Sequence, residues 1–201
     1  MKPKKILLAL ICLILNFSPG YLFSDTPHKT AEKVHENVIS FINDNEDLYK
    51  EDKESFVENI DSIMDPVVDF KRIARNVMGK YYKQANKSQR DKFFGVFRST
   101  LLKTYTDTFV EFKDEEIRVL PKKEDSKNPN RSKVQVEIIT DTKVYPATYD
   151  MYKNKEGEWK IINIVVNGVN LGLTFRNQFY SLSIKRNADI DLVIEEWIAA
   201  L

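Results

Sequence analysis

The stretch Ser88–Val119, SQRDKFFGVFRSTLLKTYTDTFVEFKDEEIRV, decides the fold, because its hydrophobic period changes partway along. Phe93, Phe97, Leu101, Tyr105 and Phe109 recur every four residues, and Phe94, Leu102 and Phe112 widen that stripe. A helix facing a core shows this pattern. From Ile117 the period becomes two, with Ile117 and Val119 alternating with charged neighbours, as on a half-buried strand. The reading predicts a long helix over 89–112, opened by Ser88 with Asp91 in a capping arrangement, followed by a sheet.

Upstream, Ala31, Val34, Val38, Ile39 and Ile42 predict a helix over 30–43. Phe56, Ile60, Ile63 and Met64 predict another over 53–64, ended or kinked by Pro66. Asp69 can cap a short helix carrying Phe70, Ile73, Ala74, Val77 and Met78, with Gly79 as its stop. Downstream, residues 121–132 read as an exposed hairpin loop. Val134, Val136 and Ile138 alternate along a strand, and Val144–Tyr152 forms the next. Pro146 interrupts the latter and belongs at an edge or a bulge. Trp159–Val166 is a further strand, and Asn167-Gly168 bends the chain after it. Helices over 171–183 and from Asp189 close the sequence. The order predicts an α+β fold, with helices on one face of a curved four-stranded antiparallel sheet, enclosing an apolar cavity.

The chain has 201 residues, 30% of them charged and 42% hydrophobic, which suits one globular domain. Its start differs. Lys2, Lys4 and Lys5 precede an apolar run from Ile6 to Leu15, broken by Ser18, Pro19 and Gly20. This is the layout of a secretory signal, too short to span a bilayer comfortably. Residues 1–24 are therefore expected to be a signal peptide, cleaved after Ser24 or after Gly20, leaving residues 25–201 as a single domain exported to the periplasm. Loss of the leader moves the net charge from +1 to about −2, a poor match to nucleic acid. Cys12, the only cysteine, lies in the leader, so the mature chain holds no disulfide or thiol.

Catalytic chemistry is hard to place. His28 and His35 have no metal-ligand spacing and read as surface residues, the first in the mobile start of the mature chain. No G-x-S-x-G or phosphate-binding glycine loop occurs. No catalytic residue, metal or cofactor is predicted. The aromatic stripe is by itself ordinary core.

Three blocks resemble the MlaC, or toluene-tolerance, family of periplasmic phospholipid-binding proteins, an auxiliary component of an ABC transport system. They are DFKRIARNVMGKYY at 69–82, ANKSQRDKFFGVFRSTLLKTYTDTFVEF at 85–112 and YDMYKNKEGEWKIINIVVNGVNLGLTFRNQFY at 149–180. The chain departs from that family at Asn163, Asn167 and Asn170, where Asp, Glu and Ser are usual. The resemblance implies a lipid cavity between helices and sheet, with acyl tails inside and the headgroup at the mouth. It also implies a shuttle between an inner-membrane MCE-type ABC transporter complex and an outer-membrane lipoprotein complex.

On that basis the expected lining is Phe70, Ile73 and Val77 from the short helix and Phe97, Leu101 and Tyr105 from the long one. The strands supply Val136, Ile138, Tyr149, Met151, Ile164 and Val166, and the bend supplies Val169. A register slip of one residue would exchange the strand set. Arg176 would meet a phosphate at the mouth or make a structural salt bridge or carbonyl bond. A monomer is expected. Two other readings stand: an NTF2-like acid–base enzyme acting on a small hydrophobic substrate, which needs an inward carboxylate, and a periplasmic protein-binding module with no ligand.

Overall fold

The computed structural model describes residues 25–121 and 127–199. The expected signal peptide lies outside the described residues. In chain order, three helices come first: α1 (Pro27–Asp44), α2 (Glu46–Glu51) and α3 (Lys53–Met64). Helix α4 (Phe70–Met78) runs into a 3-10 turn (Gly79–Lys83), and α5 (Lys87–Glu111) follows. Five strands come next: β1 (Glu116–Val119), β2 (Arg131–Ile139), β3 (Val144–Lys153), β4 (Trp159–Val166) and β5 (Val169–Asn170). Helices α6 (Leu171–Lys185) and α7 (Ile190–Ala199) close the chain.

The helix boundaries follow from their caps. The Asp69 carboxylate accepts from Arg72 N at 2.9 Å, as its position before the apolar run predicts. Helix α5 starts earlier than expected, at a complete capping box. Asn86 Oδ1 accepts from Gln89 N at 2.9 Å, and Gln89 Oε1 accepts from Asn86 N at 3.0 Å. Ser88 is therefore inside the helix, and Asp91 instead pairs with Lys87.

The strands form one antiparallel meander in the order β1-β2-β3-β4-β5. There are five strands rather than four, because Asn167 and Gly168 both take positive φ (48° and 81°) and form a two-residue hairpin. Pro146 is not on an edge strand, since β3 pairs on both sides. Its carbonyl accepts from Asn167 N, so Pro146 faces Asn167 just past the end of β4, and the one bond that its missing N–H forgoes falls at the end of the ladder. The bulge lies elsewhere: Asp150 pairs with Asn163 and Met151 with Ile161, which leaves Ile162 extra. The outer edge of β4 is covered at Ile161 by the α3–α4 connection, through Ile161 N to Val67 O and Asp69 N to Ile161 O.

Register places Val134, Val136, Ala147, Tyr149, Met151, Ile161, Ile164 and Val166 on one sheet face. That face meets Ala31, Ile42, Phe56 and Ile60 of α1 and α3 in one apolar core. A second core lies among the helices, where Phe93, Phe97, Phe175 and Phe179 surround Trp197, all 7% exposed or less. Phe93 and Phe179 meet edge to face at 4.8 Å, and Phe93 and Trp197 at 5.4 Å. Of the half-buried residues packed on either core, Ile73 and Phe94 touch both.

Candidate functional site

A cleft of about 1610 Å³ opens where the first turn of α1, helix α4, the start of α6 and the sheet converge. Pockets for drug-sized ligands hold about 300–1,000 Å³, so this one suits something larger. Its floor is apolar and its rim polar. Met151 is buried, and Ile73, Trp159 and Ile162 are half-buried. Arg131, Lys133, Gln135 and Leu173 are exposed around the opening. The purely apolar cavity expected from the sequence is thus a mixed one, because the cleft also reaches the polar sheet face of Lys133, Gln135, Thr148 and Asp150.

One wall is fixed by Asn163. Its Nδ2 donates to Asp150 Oδ2 at 2.9 Å, and its Oδ1 accepts from Gly172 N at 3.1 Å. A Cβ on Gly172 would stand 2.6 Å from that oxygen, so only glycine lets α6 start this close to β4. Asn170 caps α6 by accepting from Leu173 N at 2.9 Å. The three departures from the family pattern are therefore a latch, a positive-φ turn residue and a helix cap.

Arg176 lines the cleft, and its Nε donates to the carbonyl of Asn76 at 2.8 Å. This is the carbonyl bond that the sequence offered as one of its roles. It joins α6 to α4 and holds the guanidinium at the rim. Asp150 is the carboxylate in the cleft, tied by Asn163 and 3.6 Å from Lys133 Nζ. Among the described residues no group of His, Cys, Asp and Glu could hold a metal ion.

The predicted lining residues divide into four sets. Ile73 and Met151 line the cleft. Phe70, Val77, Phe97 and Val136 are buried in the two cores. Ile138, Tyr149, Ile164 and Val166 share the core face of the sheet but stay half-buried, as do Leu101 and Tyr105 on α5. Val169 sits outside the cleft, 53% exposed beside the hairpin turn. The strand residues chosen from alternation thus occupy one face. That face opens into the cleft through Met151 and Trp159, which belong to both.

Two histidines are not where the sequence put them. His28 lies in the first turn of α1 and lines the cleft. His35 faces inward, with Nε2 2.8 Å from the Tyr149 hydroxyl and a buried Nδ1 without a partner. Burial lowers its pKa to about 4 and pushes the Tyr149 phenol up. Its position four residues after Ala31 and three before Val38 places it on the apolar stripe, which was the available signal.

Comparison with known proteins gives a consistent picture. The family model described as "MlaC protein" matches residues 32–199. A toluene tolerance protein, ttg2D, from Pseudomonas putida is 30% identical over 190 residues, covering 94% of this chain and 87% of that protein. The intermembrane phospholipid transport system binding protein MlaC of Haemophilus influenzae is 27% identical over 149 residues, covering 73% and 69%. Among solved structures, a phospholipid-binding protein from Ralstonia solanacearum, in complex with a phospholipid, superposes with a TM-score of 0.78. It is 21% identical, with 86% of this chain and 95% of that one covered.

Proposed function

This chain belongs to the MlaC family, and from that premise we propose that it binds a phospholipid and carries it across the periplasm. The observation that carries the reading is the incompletely packed sheet face. Tyr149, Ile164 and Val166 stay half-buried under helix α1, and the face continues into the cleft at Met151. Apolar surface left open inside a protein is costly unless hydrocarbon covers it. Each acyl methylene removed from water contributes about 0.8 kcal/mol. The tails lie along this face and over Ile73, and the headgroup stays at the rim near Arg131, Lys133 and Arg176. The Haemophilus relative's name, which specifies intermembrane phospholipid transport, supports the same role.

In this reading the protein is a non-catalytic periplasmic monomer. It takes lipid at one membrane complex and yields it at another: an inner-membrane MCE-type ABC transporter complex and an outer-membrane lipoprotein complex. The mature protein, purified from cells and extracted with solvent, is expected to yield roughly stoichiometric phospholipid by mass spectrometry. A lipid-free extract, together with failure to take up lipid from vesicles, would overturn the proposal.

A further inference from the structure

Charge is strongly segregated along this chain. Residues 70–106, from α4 through most of α5, hold ten Lys and Arg against one acid, Asp91, for a net +9. Residues 25–65, from α1 through α3, hold twelve acids against four lysines, for a net −8. The whole chain sums to only +1. Among the described residues, only Lys87 and Arg98 of those ten cations pair with an acid.

The cations are held in place by aromatic rings. Arg75 and Arg90 both stack on Tyr82, at 5.1 and 4.4 Å from its centroid, and Arg90 Nε also donates to Tyr82 O at 2.8 Å. Lys71 Nζ lies 5.3 Å from the Phe94 ring. Together with Asp91, whose carboxylate is paired with Lys87, they edge a notch of about 100 Å³ between α4 and α5, too small for a lipid but large enough for a carboxylate side chain. A guanidinium stacked on a ring keeps its planar fork free to bind a carboxylate through two hydrogen bonds. Little rotamer freedom remains to be lost on binding.

This face lies away from the cleft. Lys71 and Arg75 are four residues apart on one side of α4, whereas Ile73 and Asn76 look into the cleft from the other. A bilayer meeting the basic face would hold the lipid opening turned from it. A protein meeting it leaves the opening clear. We propose that the basic face of α4, the 3-10 turn and the start of α5 is a docking surface for an acidic protein patch. Carboxylates of that patch enter the notch at Lys71, Arg75 and Arg90. The surplus of positive charge on this face steers it toward such a partner and raises the encounter rate.

The test uses the full mature chain and the Lys71→Glu/Arg75→Glu/Lys83→Glu variant, which leaves the Arg90–Tyr82 bond intact. Each is incubated with native envelope membranes of the source cell, with the same membranes shaved by protease, and with protein-free vesicles of their extracted lipids. The wild-type chain is expected to sediment with native membranes at low salt and to be released as salt rises. Shaving, or the triple substitution, is expected to weaken retention about tenfold or more. The idea fails if the variant is retained like the wild type, if shaving changes nothing, or if bare lipid vesicles bind equally well, which would make the surface a bilayer contact. It also fails if sedimentation of the protein alone shows that low-salt self-association accounts for the pelleting. The variant's melting curve verifies folding. Its lipid content, read by mass spectrometry, separates this result from the carrier reading, which needs no basic face on that side.

Discussion

The Nε2 of His35 lies 2.8 Å from the hydroxyl of Tyr149, a polar contact between α1 and β3 inside an otherwise apolar layer. The imidazole is neutral in the folded protein because burial disfavours its charge.

That contact sets a pH dependence. The folded-state pKa is about 4, against 6.5 for an unperturbed histidine. A depressed histidine stabilises the fold fully above about pH 6.5. The contribution is lost as pH falls from there towards 4, because the unfolded chain takes up the proton first. The shift corresponds to about 3 kcal/mol. His35→Gln keeps a hydrogen-bonding partner for Tyr149 and does not titrate. Urea unfolding at pH 7.5, 5.5 and 4.5 is expected to show a shallower loss of stability in the variant. Parallel curves for the two proteins would refute the assignment.

The Asn163 latch is expected to be sensitive to charge. Asn163→Asp places a second carboxylate beside Asp150, 2.9 Å from the present donor, and should cost about 1–3 kcal/mol at neutral pH. The cost shrinks in acid, once one carboxyl is protonated. The reciprocal pair Asn163→Asp/Asp150→Asn restores one donor and one acceptor and should recover most of the loss in a double-mutant cycle of melting temperatures.

Trp197 is the centre of the helical core, 2% exposed and ringed by Phe93, Phe97, Phe175 and Phe179. Trp197→Ala should destabilise by about 3–5 kcal/mol in equilibrium unfolding. An effect below about 1 kcal/mol would mean that α7 contributes little.

Filling the cleft should exclude ligand. Ile73→Trp occupies the floor near Met151 and is expected to lower co-purified lipid severalfold. Val169→Ser, outside the cleft, should leave it unchanged. Lipid-to-protein ratios from solvent extracts decide the matter, and equal ratios in both variants would remove the cleft from the binding surface.

The α5 stripe, the strand alternation and the Asp69 cap were legible because each is a local pattern read against a single period. The start of α5 was misplaced because two capping signals stand side by side, and Asn86-x-x-Gln89 makes the bonds that Ser88 could not. Strand β5 is two residues long and has no period to detect. Alternation correctly grouped Val136, Tyr149 and Ile164 on one face. It held no information on how far α1 stands from that face, so fully packed Val136 and half-open Tyr149 looked alike. His35 was missed because a polar residue on an apolar stripe is read as an interruption unless its buried partner, here 114 positions away, is known.

The two greasy centres of the molecule meet at Ile73 and Phe94, and Ile73 also borders the cleft. A change of side-chain volume at either position is therefore felt in both centres, and at Ile73 by any guest in the cleft as well.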